Sequence, residues 1–231
     1  MPARPNRKGA DGALFFRHWL RRPLGIGAIL PSSDAVARAM ASDVPFDRPG
    51  AVLELGGGTG VVTRGLIDAG CPPERLIVVE REPALADILR RRFAAARVVK
   101  GDACAIGALL AELGVTQLAA VVSSLPIKWF PLASQRAVVE PCFDLLGEDG
   151  MFLQLTNALV SPLAMRSLGL DGTEVARVWS QFPPVQIWRY QRRPAMRDAN
   201  RKTARNRAVC VGDRHVPGSP SPRPVSRREA P

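Results

Sequence analysis

The chain has two histidines and four cysteines in 231 residues, and each scarcity excludes a kind of chemistry. With His18 and His215 the only imidazoles, a histidine-ligated metal centre or a Ser-His-Asp triad lacks parts. Cys71, Cys104, Cys142 and Cys210 lie far apart and form no Cys-x-x-Cys pair. That argues against a zinc site and a disulfide framework, and fits a reduced, cytoplasmic setting. No stretch approaches the ~20 apolar residues of a membrane span, and the charged N-terminus lacks the apolar run of a secretory signal. No metal is expected.

Acidic residues are scarce at the two ends. Residues 1–22 carry a net +5 and residues 192–231 a net +8, whereas 23–191 carry −2. A slightly acidic body flanked by basic ends suits a polyanionic partner, nucleic acid or an anionic membrane, unless the tail is only a solvated extension. The stretch from Val216 to Val225 is rich in proline and serine and reads as disordered.

What is present is a glycine-rich turn. Val52-Leu-Glu-Leu55 reads as a short apolar strand, closed by Gly56, Gly58 and Gly60 and followed by a helical segment. Glycines there let a backbone approach a nucleotide-like ligand with no Cβ in the way. The dinucleotide spacing Gly-x-Gly-x-x-Gly fails, because its third position is Val61; the pattern is Glu-x-Gly-x-Gly-x-Gly from Glu54. Three further strands end in polar residues: 76–79 in Glu80, the pair Val98-Val99 in Gly101-Asp102, and 118–122 in Ser123-Ser124-Leu125-Pro126. A carboxylate such as Glu80, at the end of the second strand, is placed to accept ribose hydroxyls.

The periodicity predicts an α/β alternation. Helices are expected at 12–22, 33–42, 60–69, 83–93, 105–113, 132–146 and 161–168; strands at 51–55, 76–80, 97–100, 118–124, 151–156, 173–180 and 185–190, with a turn at 147–150. The organisation expected is a helical segment over 1–42, a catalytic domain over 43–192 and a basic tail over 193–231. On the first helix, Phe15, Phe16, Trp19 and Leu20 share one arc of roughly 140°, opposite Arg17, His18, Arg21 and Arg22. That separation suits an interfacial membrane helix, and equally a lid whose apolar face packs on the core.

The Glu-x-Gly-x-Gly-x-Gly turn resembles motif I of the class I S-adenosylmethionine-dependent methyltransferases, which implies a Rossmann-like seven-stranded sheet with helices on both faces. Narrower segments are similar to bacterial soluble-type phospholipid N-methyltransferases: Gly25-Ile-Gly-Ala-Ile-Leu-Pro-Ser-Ser33, Ser123-Ser-Leu-Pro126 with Phe130-Pro131, and Trp179 with Phe182-Pro-Pro184 and Trp188-Arg-Tyr190. Gly57 stands where many of those relatives have proline. The resemblance implies S-adenosylmethionine held by Glu54, Gly56, Gly58, Gly60, Glu80, Asp102 and Ser123. It implies methylation of phosphatidylethanolamine toward phosphatidylcholine, at the cytoplasmic membrane face. The membrane is then met by Phe15, Phe16, Trp19, Arg17 and Arg21, with Lys128 and Trp129 near the lipid.

For the acceptor, Ser124 Oγ and the Leu125 carbonyl are expected to take amine N–H bonds, and Trp129, Phe130 and Tyr190 are candidates to face a quaternary product. The core also resembles ribosomal RNA adenine dimethyltransferases, whose acceptor loop reads Asn-Leu/Ile-Pro-Tyr/Phe. Here Ser124-Leu125-Pro126-Ile127 replaces the amide with a hydroxyl and the stacking ring with isoleucine, although Trp129 lies two residues on.

Overall fold

A computed structural model describes residues 33–180 and 184–193. The helix expected over 12–22, with Phe15, Phe16, Arg17, Trp19 and Arg21, lies outside the described residues, as does the tail from Pro194. Between them run α1 (Asp34–Ala41), β1 (Ala51–Leu55), α2 (Val61–Asp68), β2 (Leu76–Glu80), α3 (Pro83–Arg92), β3 (Arg97–Lys100) and α4 (Ile106–Glu112). Then follow β4 (Leu118–Ser123), α5 (Leu132–Leu145), β5 (Leu146–Thr156), α6 (Met165–Leu168), β6 (Leu170–Val178) and β7 (Val185–Arg192).

The strands form one seven-stranded sheet in the order β3-β2-β1-β4-β5-β7-β6. The first five are mutually parallel, and β7 runs antiparallel between β5 and β6. Strands covered on both faces need apolar side chains in both directions, so β2 and β4 read as unbroken hydrophobic runs. One face packs Leu53, Leu55, Val121 and Phe152 with Ile106, Val138 and Phe143 from α4 and α5. The other packs Val52, Val78, Val122 and Leu153 with Val36, Met40, Leu66 and Leu89 from α1, α2 and α3. Helix α1 starts where Ser33 Oγ accepts the Val36 N–H. It lies so close to α2 that a Cβ at Gly65 would come within 2.6 Å of the Ala37 Cβ.

Strand order reverses between β1 and β4, which opens a crevice at their carboxyl ends. Several boundaries differ from the sequence expectation, among them the start of β6, at Leu170 rather than 173. The turn at 147–150 is not a separate link. Leu146 already pairs with Leu118, and pairing resumes at Ala120 with Met151, so the intervening residues bulge from one continuous β5. The buried Leu146 side chain anchors that early start. The helix expected over 161–168 contracts to Met165–Leu168, and Gly169 ends it with φ +64°.

Candidate cofactor and acceptor site

The crevice is built from strand ends tied to one another. The Gly56 N–H donates to the Val79 carbonyl at 2.8 Å, Gly101 N–H to Glu80 at 3.0 Å, and Ser124 N–H to Leu55 at 2.9 Å. Gly56, Gly58 and Gly60 have φ of +82°, +53° and +83°, where an L side chain is strained. Below the turn there is no room: a Cβ on Gly57 would lie 2.5 Å from Val78 Cγ1, and one on Gly60 2.6 Å from the Phe93 ring. A Cβ on Gly58 would meet nothing nearer than the Gly56 carbonyl at 4.0 Å. The turn is packed underneath and open above, as a backbone cradle for a ligand requires.

Glu80 braces this turn. Its Oε2 accepts the Gly58 N–H at 2.8 Å and its Oε1 the Glu82 N–H at 2.8 Å. Each oxygen keeps a second lone pair for a hydroxyl. Asp102 is exposed at the end of β3, where Oδ1 accepts the Cys104 N–H at 2.9 Å. Ser123 is fully buried, and its Oγ accepts the Leu125 N–H at 3.4 Å.

Glu54 points from β1 toward α2. Its Oε2 accepts from Thr63 Oγ1 at 2.7 Å, while its Oε1 is buried with no partner. Burial pushes its pKa up to about 8; the Thr63 bond opposes that rise, and the nearby Glu80 charge adds to it.

At the acceptor loop the structure separates two residues that the sequence reading paired. Ser124 Oγ is buried and has no partner. The Leu125 carbonyl, by contrast, already accepts from the Ile127 N–H at 2.8 Å and from Gln154 Nε2 at 2.8 Å. Both lone pairs are spent, so it has none left for an incoming amine. Tyr190 is also corrected. It is fully buried among the core side chains, stacked 6.2 Å from the Trp188 ring, with its hydroxyl 2.8 Å from Ser161 Oγ. Burial raises its pKa to about 12. Its ring also fills the space where a Cβ on Gly172 would stand, so it packs the sheet rather than facing a substrate. Phe130 is buried in the same core. Lys128 Nζ donates to Asn157 Oδ1 at 3.0 Å and lies 4.9 Å above the half-exposed Trp129 ring.

Two glutamines that the sequence reading passed over hold the loop. Gln135, buried on α5, donates to the carbonyls of Ile127 (3.3 Å) and Phe130 (3.1 Å) and accepts the Ala164 N–H at 3.0 Å. Gln154, fully buried on β5, donates to Leu125 and, at 2.6 Å, to the Leu155 carbonyl. Because both of those partners are acceptors, the amide orientation is set, and Oε1 is left buried without a partner. The signal was a glutamine inside the apolar run Met151-Phe-Leu-Gln-Leu155, where only a committed polar group survives burial.

No family model matches the chain. Over 149 residues, 63% of the chain and 78% of the relative, it is 35% identical to the ornithine lipid N-methyltransferase of Singulisphaera acidiphila. The chain belongs to the family of that methyltransferase. A shorter match, 38% over 81 residues, covers 32% of the chain and 26% of the probable ribosomal RNA small subunit methyltransferase A of Natronomonas pharaonis. Among solved structures, the glycopeptide N-methyltransferase MtfA complexed with S-adenosyl-L-methionine superposes with a TM-score of 0.53. The identity is 17%, over 71% of this chain and 96% of that one, a likeness of fold. The fold is that of the class I methyltransferases, and S-adenosylmethionine is the cofactor. The open glycine turn and the braced Glu80 carboxylate fit that molecule. Among the described residues no helix is long and apolar enough to cross a membrane.

Proposed function

We propose that this methyltransferase acts on the amine of a lipid headgroup, phosphatidylethanolamine and its mono- and dimethyl forms, toward phosphatidylcholine. The observation that carries this is the buried, unpartnered Ser124 Oγ, one residue past the end of β4 at the rim of the crevice. An acceptor with no competing donor suits a nitrogen that brings N–H groups.

Glu54, Gly56, Gly58, Gly60, Glu80, Asp102 and Ser123 are the residues proposed to hold the cofactor, which when bound supplies an electrophilic methyl on a sulfonium. The protein's part is to present a neutral amine. Burial disfavours the ammonium form, and Ser124 Oγ orients the lone pair by accepting an N–H. Lys128, whose pKa is lowered by burial, stands beside the loop and suits a lipid phosphate. The basic N-terminal segment expected to be helical, with Phe15, Phe16 and Trp19, completes the reading as an anchor on an anionic cytoplasmic membrane face.

A purine acceptor finds less support. Ile127 is buried in the core, Phe130 with it, and the Trp129 ring carries Lys128 on its face. Ornithine lipid is a second reading, favoured by the 35% identity to an enzyme named for it. Labelled S-adenosylmethionine offered with phosphatidylethanolamine, with ornithine lipid and with ribosomal RNA separates the three. Label is expected in phosphatidylethanolamine. Label in RNA alone refutes a lipid acceptor.

A further inference from the structure

Five large apolar side chains stand exposed among the described residues: Trp129, Leu132, Leu159, Val160 and Trp179. The topology gathers all five at one rim of the sheet. Trp129 and Leu132 follow the carboxyl end of β4, and Leu159 and Val160 follow the carboxyl end of β5. Trp179 follows β6. That strand runs parallel to β5, since both are antiparallel to β7, and Thr156 of β5 and Arg177 of β6 share the partner Gln186. The end of β6 is therefore two strand spacings, about 10 Å, from the end of β5. This is the rim that carries the glycine turn and Ser124. The Lys128–Asn157 hydrogen bond ties the Trp129 turn to the segment bearing Leu159 and Val160.

Single exposed apolar residues are ordinary on a protein surface; a group confined to one rim is not. Leu159, Val160 and Trp179 are 83%, 71% and 70% exposed, so they contribute little to the core. Each exposed indole also carries a cation. Lys128 Nζ lies 4.9 Å above Trp129, and the Arg177 guanidinium lies 5.5 Å above Trp179. Arg177 is itself held by two bonds to Glu174, at 2.7 and 2.8 Å. An indole with a charge beside it suits the level of lipid headgroups, ring toward the acyl chains and charge toward the phosphates. These cations cover one face of each ring, and the aliphatic Leu159 and Val160 offer a nucleic-acid base no stacking surface. Basic ends of net +5 and +8 complement an anionic leaflet, while the body that bears this rim carries −2.

We propose that this rim is a membrane-docking surface: Leu159, Val160 and Trp179 enter the headgroup region of a bilayer and bring the acceptor loop against it. The purpose of such docking rests on the lipid-acceptor reading above, but its test does not.

The full chain is sedimented with phosphatidylcholine–phosphatidylglycerol vesicles that contain no amine lipid, beside the Leu159→Ser/Trp179→Ser double variant and Trp179→Phe. Vesicle affinity is expected to fall at least about tenfold in the double variant and to stay within about twofold in Trp179→Phe. Urea midpoint and S-adenosylmethionine affinity should be unchanged, because both side chains stand outside the core. A parent that does not bind these vesicles, or a double variant that binds them as the parent does, overturns the proposal. So does a loss of RNA binding equal to the loss of vesicle binding. Methyl transfer to micellar amine lipid is measured separately. If vesicle affinity falls but no lipid takes label, the acceptor reading fails and the docking surface stands. If lipid takes label and vesicle affinity is unmoved, the docking surface alone fails.

Discussion

Replacing Glu54 with glutamine should stabilise the protein, and only above pH 5. The carboxyl is fully buried, with one oxygen on Thr63 Oγ1 at 2.7 Å and the other without a partner, and its pKa is raised from 4.5 to about 8. Between those two values the unfolded chain has released this proton and the folded chain has kept it. The folded state binds more protons there, so stability falls as pH rises, by about 1.4 kcal/mol per pH unit. The favourable neutral state is fully present below pH 4.5, and the loss is complete once pH passes about 8. Across that window it amounts to about 5 kcal/mol, comparable to the whole stability of a small domain. Glutamine keeps the shape and an oxygen for Thr63, and it has no proton to lose. Urea unfolding of parent and Glu54→Gln at pH 4.5, 6, 7, 8 and 9 isolates the effect, since every other titrating group is common to both chains. The two should be about equally stable at the lowest pH. They should diverge steadily in favour of the variant and run parallel above about pH 8. Parallel curves throughout would refute the raised pKa, and greater stability of the parent at high pH would mean that the carboxylate is ionised and paired.

Two site substitutions follow from the same geometry. Gly58→Ala should cost only about 1 kcal/mol for its left-handed backbone, since the new Cβ meets nothing within 4.0 Å except the Gly56 carbonyl. Calorimetry should nonetheless show S-adenosylmethionine affinity reduced at least about tenfold; unchanged affinity would place the cofactor elsewhere. Ser124→Ala should lower kcat about 10- to 100-fold with cofactor affinity unchanged, while leaving stability equal or slightly raised because an unpartnered buried hydroxyl is removed. Loss of cofactor binding in that variant would mean that Ser124 serves the cofactor rather than the acceptor.

Much of the fold was legible along the chain. The apolar runs 76–80 and 118–123 and the helical periods between them register which faces must be buried, and burial of both sheet faces is what a parallel arrangement demands. The glycine turn was legible for a related reason. Positive φ at Gly56, Gly58 and Gly60 is a backbone need that residue type alone reports. The errors lay where pairing overrides local signals. Gly147 to Gly150 reads as a turn in isolation, yet the pairing of Leu146 with Leu118 makes it a bulge within β5.

The sequence by itself determined the class of fold and the place of the glycine turn, because both depend on local side-chain pattern and backbone freedom. Only the tertiary structure decided which polar groups remain available. The Leu125 carbonyl is taken by Gln154, 29 positions along the chain, and Tyr190 is taken by Ser161, also 29 positions away. Ser124 Oγ and Gln154 Oε1 are left without partners. The gathering of Trp129, Leu159, Val160 and Trp179 on one rim was likewise invisible along the chain, since it depends on β6 returning parallel to β5 across β7. A donor or acceptor is spent or spare according to what the folded chain brings within 3 Å of it, and side-chain pattern carries no record of that distance.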